Sequence, residues 1–377
     1  MVDIRKIYNG LLFVTISWQV YANSVSNGVQ GNIFKYIQYI LWALMLLLFM
    51  YVLFLKGLSQ RGWAALLVFF MISIIACFFK DYVFIPLFIF GVYGIYISGQ
   101  QIIKIYSYSI LVVVVSTVLL SLVGRFPMYT ESNLLSMGFS NPNVLGFLIT
   151  TIFIGFLITY NVPFVESLII ATLICLFDYI CLEDNTAFTI TIIFFALSFG
   201  KSDQFTLSLK KIVVCMPVAL FILSWFIACF YGKYNWIYEI SSFLTGRPAI
   251  WNAYKDIYTI HLFPQHIQSY TLSSYQYAFF GKNLPLIYRG FDGAYIYLLL
   301  SQGILITALI LYSLTYYVIH LNAKKQKKEL YMMASMLIFA VTESIVIAPF
   351  GYFESYLVIL IIRKLILGTR KNEVFIR

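Results

Sequence analysis

The chain has 377 residues, of which 62% are hydrophobic, 19% aromatic and only 11% charged. Soluble domains carry about 25% charged residues, so this composition excludes an ordinary water-soluble domain and indicates a protein embedded in lipid. The net charge of +10 is typical of basic residues that orient membrane spans, and we predict no nucleic-acid partner.

About twelve apolar runs are close to the length that crosses a hydrocarbon core of about 30 Å as a helix. The runs are continuous rather than alternating, and lipid admits only helices or closed barrels. We therefore predict an all-α polytopic membrane protein of about twelve transmembrane helices, with residues 1–377 forming a single integral membrane domain. The runs cover residues 8–23, 34–55, 63–79, 82–98, 103–123, 143–160, 163–180, 186–200, 212–231, 292–320, 330–349 and 355–368.

The distribution of Lys and Arg predicts the orientation, because inner loops carry the excess of basic residues. If the N-terminus is placed inside, most basic residues fall in the inner loops, and both termini face the cytoplasm. The basic start, the apolar stretch and the following VYANS also fit a cleaved signal peptide. The even number of runs and the consistent charge pattern favour an uncleaved first helix.

The first of two longer outer loops covers residues 124–141 and ends in the stretch GFSNPNVLG. Asn141 is placed to cap the next helix and Pro142 to fill its first position. Asn143 is a candidate hydrogen-bond donor to a ligand at that helix end. Arg125 lies at the start of the loop.

Two acidic residues lie within apolar runs. Asp178 is near the outer end of the seventh run and Glu343 in the outer half of the eleventh. Ionisable residues in a membrane are by default functional candidates. Both are predicted to bind substrate or to pair with an outer arginine and orient it.

The second outer loop, residues 232–291, is large and rich in aromatic residues, which disordered segments lack. Its stretch TGRPAIW predicts a helix over 248–260 on the outer membrane face, with Thr245 as its cap. Arg247 at that helix start is suited to grip a phosphate with two hydrogen bonds. Trp251 is expected to stack on a sugar or to lie at the lipid headgroups.

The end of the same loop reads YRGFDG and places Arg289 and Asp292 at the outer mouth of the tenth run. Asp292 fits a helix cap and also a general base, if it reaches the proton that is removed. Arg289 is a second candidate for binding an anion beside it.

Cofactor and metal chemistry find little support in the pattern. The inner loops are short and carry neither a phosphate-binding Walker loop nor a dinucleotide fingerprint. The five cysteines form no CxxC pair and the three histidines no metal-spaced cluster. We expect no cofactor and no metal site.

The order of these motifs resembles the O-antigen ligase and polymerase superfamily, and most closely a Wzy-type polysaccharide polymerase. It runs NPN-x-LG, a long outer loop with T-G-R-x-x-x-W, then F-G-K-N, then D-G-x-Y before an apolar helix ending in a Q-G-I turn. The resemblance covers residues 130–310 by motif. Asp292-Gly293 stands where many members have His-Asn, and EDNTAF at 183–188 lacks the arginine that many members carry, so Arg125 or Arg289 would replace that charge.

The resemblance implies a GT-C-like fold in the bacterial cytoplasmic (inner) membrane and an active site on the outer face. An undecaprenyl-pyrophosphate-linked oligosaccharide would be both donor and acceptor, for capsule, O-antigen or exopolysaccharide. Arg247 would clamp the pyrophosphate, and a chain-length regulator and a flippase of the same pathway are the implied partners.

The chemistry leads to a similar hypothesis. No nucleotide is available outside the cell, so the donor must arrive activated and membrane-bound, and arginines can stabilise its leaving group without metal. The alternatives left open are an O-antigen-type ligase, a lipid-linked oligosaccharide flippase or other transporter, and a structural scaffold.

Overall fold

A computed structural model describes residues 4–24, 32–58, 60–78, 84–130, 133–199, 203–244, 246–267, 291–324 and 326–343. Within these ranges the chain is helical and contains no strand. The nearest approach to a sheet there is an isolated antiparallel bridge between Tyr129 and Leu135. The predicted helical class is confirmed.

Packing divides the chain into two compact units. The first contains Met1–Ile75 and Tyr82–Phe199, and the second contains Gly200–Ala348 with Ala76–Asp81. The expectation of one integral membrane domain stays a prediction.

The first unit is built from eight helices in its described part, α1 packing on α2 and α5, α5 on α6, and α8 on both α6 and α7. They are α1 Ile4–Ser24, α2 Asn32–Lys56, α3 Gln60–Phe78, α4 Phe84–Tyr93, α5 Gly99–Leu122, α6 Pro142–Thr159, α7 Phe164–Leu176 and α8 Asn185–Phe199.

A reciprocal tyrosine pair ties α1 to α4. The Tyr8 hydroxyl donates to the Tyr93 carbonyl oxygen at 2.7 Å, and the Tyr93 hydroxyl donates to the Tyr8 carbonyl oxygen at 2.9 Å. The rings stack with centroids 3.8 Å apart. Two polar groups are thereby satisfied within an apolar core, where an unpaired hydroxyl would be costly.

The start of α6 follows the predicted capping pattern. The Asn141 side chain accepts a hydrogen bond from the Asn143 backbone N–H at 3.0 Å, and Pro142 fills the first helical position. Because the first turn of a helix has no internal partners for its N–H groups, these residues fix where α6 begins.

The second unit has five helices in its described part. They are α9 Asp203–Phe230, α10 Asn235–Phe243, α11 Arg247–Ile257, α12 Ala294–Ala323 and α13 Lys327–Thr342. α12 and α13 pack on α9 and on each other, and α11 packs on α9 and α10. The helix predicted over 248–260 is therefore observed as α11.

α12 is broken at Gly303, whose φ of 73° and ψ of 177° are not helical. The backbone N–H groups of Ile304 and Leu305 donate to the carbonyl oxygens of His261 and Leu262 at 3.0 and 3.3 Å. Gln265 closes the other side of the break, since its backbone N–H donates to Ser301 O at 2.8 Å and its side-chain amide donates to Leu300 O at 2.8 Å. A loop segment thus satisfies the backbone groups that the break exposes.

Six helices are long and apolar enough to cross a membrane, among the residues that the structure describes. These spans are Ile33–Lys56, Gly99–Leu122, Pro142–Thr159, Phe164–Cys181, Lys211–Phe230 and Ala294–Ala323. Large exposed apolar side chains such as Phe54, 89% exposed, fit a surface that faces lipid. The number of twelve spans stays a prediction, and the run at 355–368 lies outside the described residues.

Candidate functional site

The beginning of α11 positions Arg247. Gly246, at φ 80°, precedes the helix, and its carbonyl oxygen accepts from the N–H groups of Ala249 and Ile250 at 3.1 and 3.4 Å. The left-handed conformation suits glycine and turns the chain sharply into the helix. The predicted cap Thr245 lies outside the described residues.

The Arg247 side chain, at the start of α11, lies close to two carboxylates at the ends of two other helices. Its Nη2 pairs with Glu343 Oε1, directly after α13, and its Nε lies 3.9 Å from Asp292 Oδ2, just before α12. A third contact, from Nη1 to the Leu244 carbonyl oxygen at 3.5 Å, is long. We call Arg247, Asp292 and Glu343 the guanidinium cluster.

The two carboxylates of this cluster differ in surroundings. Glu343 is buried, whereas 40% of the Asp292 side chain is exposed. Burial raises the pKa of the Asp292 carboxyl, and the positive charge of Arg247 opposes that rise. Solvent at the exposed part of the side chain reduces the effect of burial. Glu343 is thus a fixed partner of Arg247, and Asp292 is a carboxyl that can reach an incoming group.

Trp251 fixes the backbone at Asp292. Its indole N–H donates to the Asp292 carbonyl oxygen at 2.5 Å. Gly293, at φ 104°, follows, and a Cβ there would meet the indole ring, with Trp251 Cε2 at only 2.8 Å. The ring is completely buried, so it faces inward rather than to headgroups or a sugar, and any substrate contact would require the site to open.

An apolar cluster surrounds Trp251 and joins α9, α11 and α12. Tyr254 and Phe291 pack edge to face with ring centroids 4.4 Å apart, and Ile227, Ile250 and Ile296 also belong to the cluster. The Asn252 side chain donates to the Ala228 carbonyl oxygen at 2.8 Å. These contacts hold α11 on α9 and thereby fix the position of the helix that carries Arg247.

Asp178 lies in the first unit, in a π-helical turn over Phe177–Cys181. It is fully buried, and neither carboxylate oxygen has a hydrogen-bond partner within the part of the chain that the structure describes. A Cβ on Gly146 would meet Asp178 Oδ1 at 3.4 Å and Asp184 Oδ2 at 2.7 Å. Both acids therefore approach the same face of α6.

Asp184 is a residue that sequence reasoning missed. Its Oδ1 accepts from the N–H groups of Thr186 and Ala187 at 3.0 and 3.1 Å, which caps α8. An Asp directly before a helix start, six residues after another Asp, is the signal that could have identified it.

Two other predicted site residues lie in the first unit. Arg125 is exposed in the loop after α5, and Asn143 is half-buried in the first turn of α6. Arg289 lies outside the described residues. The structure therefore groups Arg247, Asp292, Glu343 and Trp251, all from the second unit.

No group of three or more His, Cys, Asp or Glu side chains is arranged to hold a metal ion among the described residues. The guanidinium cluster offers charge-assisted hydrogen bonds and a carboxylate base, which is the chemistry that its residues can supply.

Comparison with known proteins finds no matching family model, no matching curated protein and no matching solved structure. The resemblance by motif order stays a prediction.

Proposed function

We propose that this protein is a glycosyltransferase that polymerises undecaprenyl-pyrophosphate-linked oligosaccharide repeat units on the outer face of the bacterial cytoplasmic membrane. The observation that supports it best is the guanidinium cluster, a buried cation with two carboxylates where α11, α12 and α13 meet. The apolar helices suit a donor and an acceptor that are both lipid-borne.

In this proposal Arg247 binds the pyrophosphate, and its ion pair with Glu343 orients the guanidinium for that contact. With both carboxylates ionised, the cluster carries a net charge of −1, which would repel a phosphate. The 3.9 Å contact with Asp292 is long for an ion pair with direct hydrogen bonds, so it is the contact that a phosphate oxygen displaces. Arg289, three residues before Asp292, is the proposed second cation.

Asp292, once released, accepts the proton of the acceptor hydroxyl. The hydroxyl oxygen forms a bond to the anomeric carbon of the growing glycan, and the bond from that carbon to the pyrophosphate oxygen breaks. The undecaprenyl pyrophosphate leaves with the electron pair, and Arg247 stabilises the charge that it gains. The pyrophosphate itself drives the transfer, so the proposal includes no cofactor.

Product and partners follow from the substrate. The product is a capsular, O-antigen or exopolysaccharide chain that remains lipid-linked. A flippase must deliver repeat units to the outer face, and a chain-length regulator is the expected protein partner.

Reconstitution tests the proposal. Purified protein in liposomes receives one lipid-pyrophosphate repeat unit, with neither nucleotide nor added metal, and the glycans are separated on a gel. A ladder of products is the expected result. Intact substrate would contradict the polymerase, and a second arm with a different acceptor would then identify a ligase. A flippase would instead move the labelled substrate across the vesicle membrane without extending it.

A further inference from the structure

The short helix α10 has two exposed faces of different chemistry. At 100° per residue, exposed Trp236 and partly buried Ile240, which packs against the cluster around Trp251, share one side, while Asn235 and Glu239 lie on the adjacent one. Ile237 and Ser241 are buried between α10 and the rest of its unit. An apolar flank beside a polar flank on one short helix is typical of a helix that lies in a membrane surface.

The apolar flank of α10 continues the exposed surface of α9. Trp236 stacks near Phe226 with ring centroids 6.2 Å apart and planes 18° apart, and Phe226 packs on Phe230 at 4.5 Å. Trp236 and Phe226 remain 45% and 39% exposed. Tyr234, 6.5 Å from the Trp236 ring, extends this aromatic group.

The position of the aromatic group along α9 places it at a membrane boundary. By the 1.5 Å rise per residue, Phe226 lies roughly 22 Å and Phe230 roughly 28 Å from Lys211. A hydrocarbon core is about 30 Å thick, so if Lys211 marks one boundary, the aromatic group reaches the opposite one. Trp and Tyr are enriched at that depth, where the ring is in apolar surroundings and the polar atom meets headgroups.

We propose that α10 is an interfacial helix, with Trp236 inserted into the phospholipid leaflet at the end of α9 remote from Lys211. Lipid is the occupant because Trp236 is continuous, through Phe226, with the exposed apolar surface of a membrane-spanning helix. Only residues 244–246 separate α10 from α11, so the helix places the guanidinium cluster beside the leaflet. The inference does not depend on the proposed function.

Spin labels on the two flanks test the inference in the full-length protein. The five cysteines are replaced, and Trp236→Cys and Glu239→Cys are labelled separately in phosphatidylglycerol and phosphatidylethanolamine vesicles without substrate. We expect oxygen, which partitions into lipid, to increase the relaxation rate of the label at 236. A water-soluble nickel chelate should have little effect on it. The label at 239 should show the reverse.

Equal access of the chelate to both labels would overturn the proposal, and so would shielding of the label at 236 from oxygen and chelate alike, which would indicate a protein partner.

Trp236→Phe provides a second measurement in the chain with its own cysteines. Lipids brominated near the glycerol should quench less tryptophan fluorescence in Trp236→Phe than in the unaltered protein. Trp251→Phe, which removes a completely buried ring, should leave the quenched intensity unchanged. Unchanged quenching in Trp236→Phe would contradict insertion.

Discussion

The indole N–H of Trp251 donates to the backbone carbonyl oxygen of Asp292 at 2.5 Å, across 41 positions of the chain. Arg247, one turn before Trp251 on α11, approaches the carboxylate of the same Asp292. One face of α11 therefore holds both the backbone and the side chain of the residue that we propose as the base.

Arg247 and Glu343 should be strongly coupled in stability. Arg247→Ala leaves the Glu343 carboxylate buried without its cation, which typically costs about 3–5 kcal/mol. The double variant Arg247→Ala/Glu343→Ala removes both charges and should cost clearly less than the two single variants added. Thermal unfolding in detergent measures all three.

Lys255→Ala is the matched control on the same helix, because Lys255 pairs with the exposed Asp256 at 2.9 Å. An exposed pair contributes about 1 kcal/mol or less. If the costs of Arg247→Ala and Glu343→Ala simply add in the double variant, the pair does not stabilise the second unit.

Gly293→Ala should disturb the site more than an ordinary glycine substitution. The new Cβ would press on the Trp251 ring, and the residue would also be strained at φ 104°. We expect a loss of stability well above the cost of a positive φ, which is about 1–3 kcal/mol.

Gly232→Ala provides the comparison, since Gly232 has φ 80° and nothing within 4 Å of an added Cβ. The two variants share backbone strain and differ in the contact with Trp251. Equal melting temperatures would show that the indole does not lie against Gly293.

Gly303→Ala should release the loop that fills the break in α12. An added Cβ would lie 2.5 Å from the Phe263 carbonyl oxygen and 2.9 Å from the His261 carbonyl oxygen. The backbone amides of Ile304 and Leu305 should then exchange hydrogen faster, because their acceptors move away.

Hydrogen exchange measured by mass spectrometry checks this expectation. Gly124→Ala has nearly the same φ, 74°, in open space and should leave the exchange of α12 unchanged. Slow exchange at Ile304 in Gly303→Ala would contradict the observed contact.

The pH dependence of polymerisation should reflect the titration of the Asp292 carboxyl. The base form of a carboxyl is the anion, so activity must fall as the pH falls through the pKa of Asp292. Because burial raises that pKa more than Arg247 lowers it, the loss should begin at a higher pH than for an exposed aspartate, whose pKa is about 3.9. Initial rates between acid and neutral pH provide the profile.

Asp292→Glu should keep a dependence of the same sign, since it keeps a titratable carboxyl. Asp292→Asn should retain donor binding and lose turnover at every pH. A fully active Asp292→Asn would reduce Asp292 to a structural residue at the start of α12.

The helices were predictable from sequence because apolar runs and caps are local signals. Asn141 and Pro142 specify the start of α6 by themselves. The Q-G-I motif indicated a turn at Gly303, but the segment that fills the break was not predicted, because its carbonyl groups come from residues 261 and 262, some forty residues earlier in the chain.

The candidate site was predictable only as a set of residue types. The sequence shows an arginine at a helix start and an acid before another helix, and pairing of an outer arginine with an acid within a span was one expectation. Which acid pairs with Arg247 is decided by the packing of α11, α12 and α13 on the same helix, α9. The inward orientation of Trp251 likewise depends on Gly293, since only a residue without a side chain leaves room for the indole.

The role of Arg247 in polymerisation is tested by comparing unaltered protein with Arg247→Ala in liposomes that contain the lipid-pyrophosphate repeat unit. Circular dichroism and melting first establish that the variant is folded, and Arg247→Lys serves as a second variant that keeps a charge. We expect a glycan ladder from the unaltered protein, single repeat units from Arg247→Ala and much shortened products from Arg247→Lys. A ladder of normal length from Arg247→Ala would contradict the proposed binding of the pyrophosphate by Arg247.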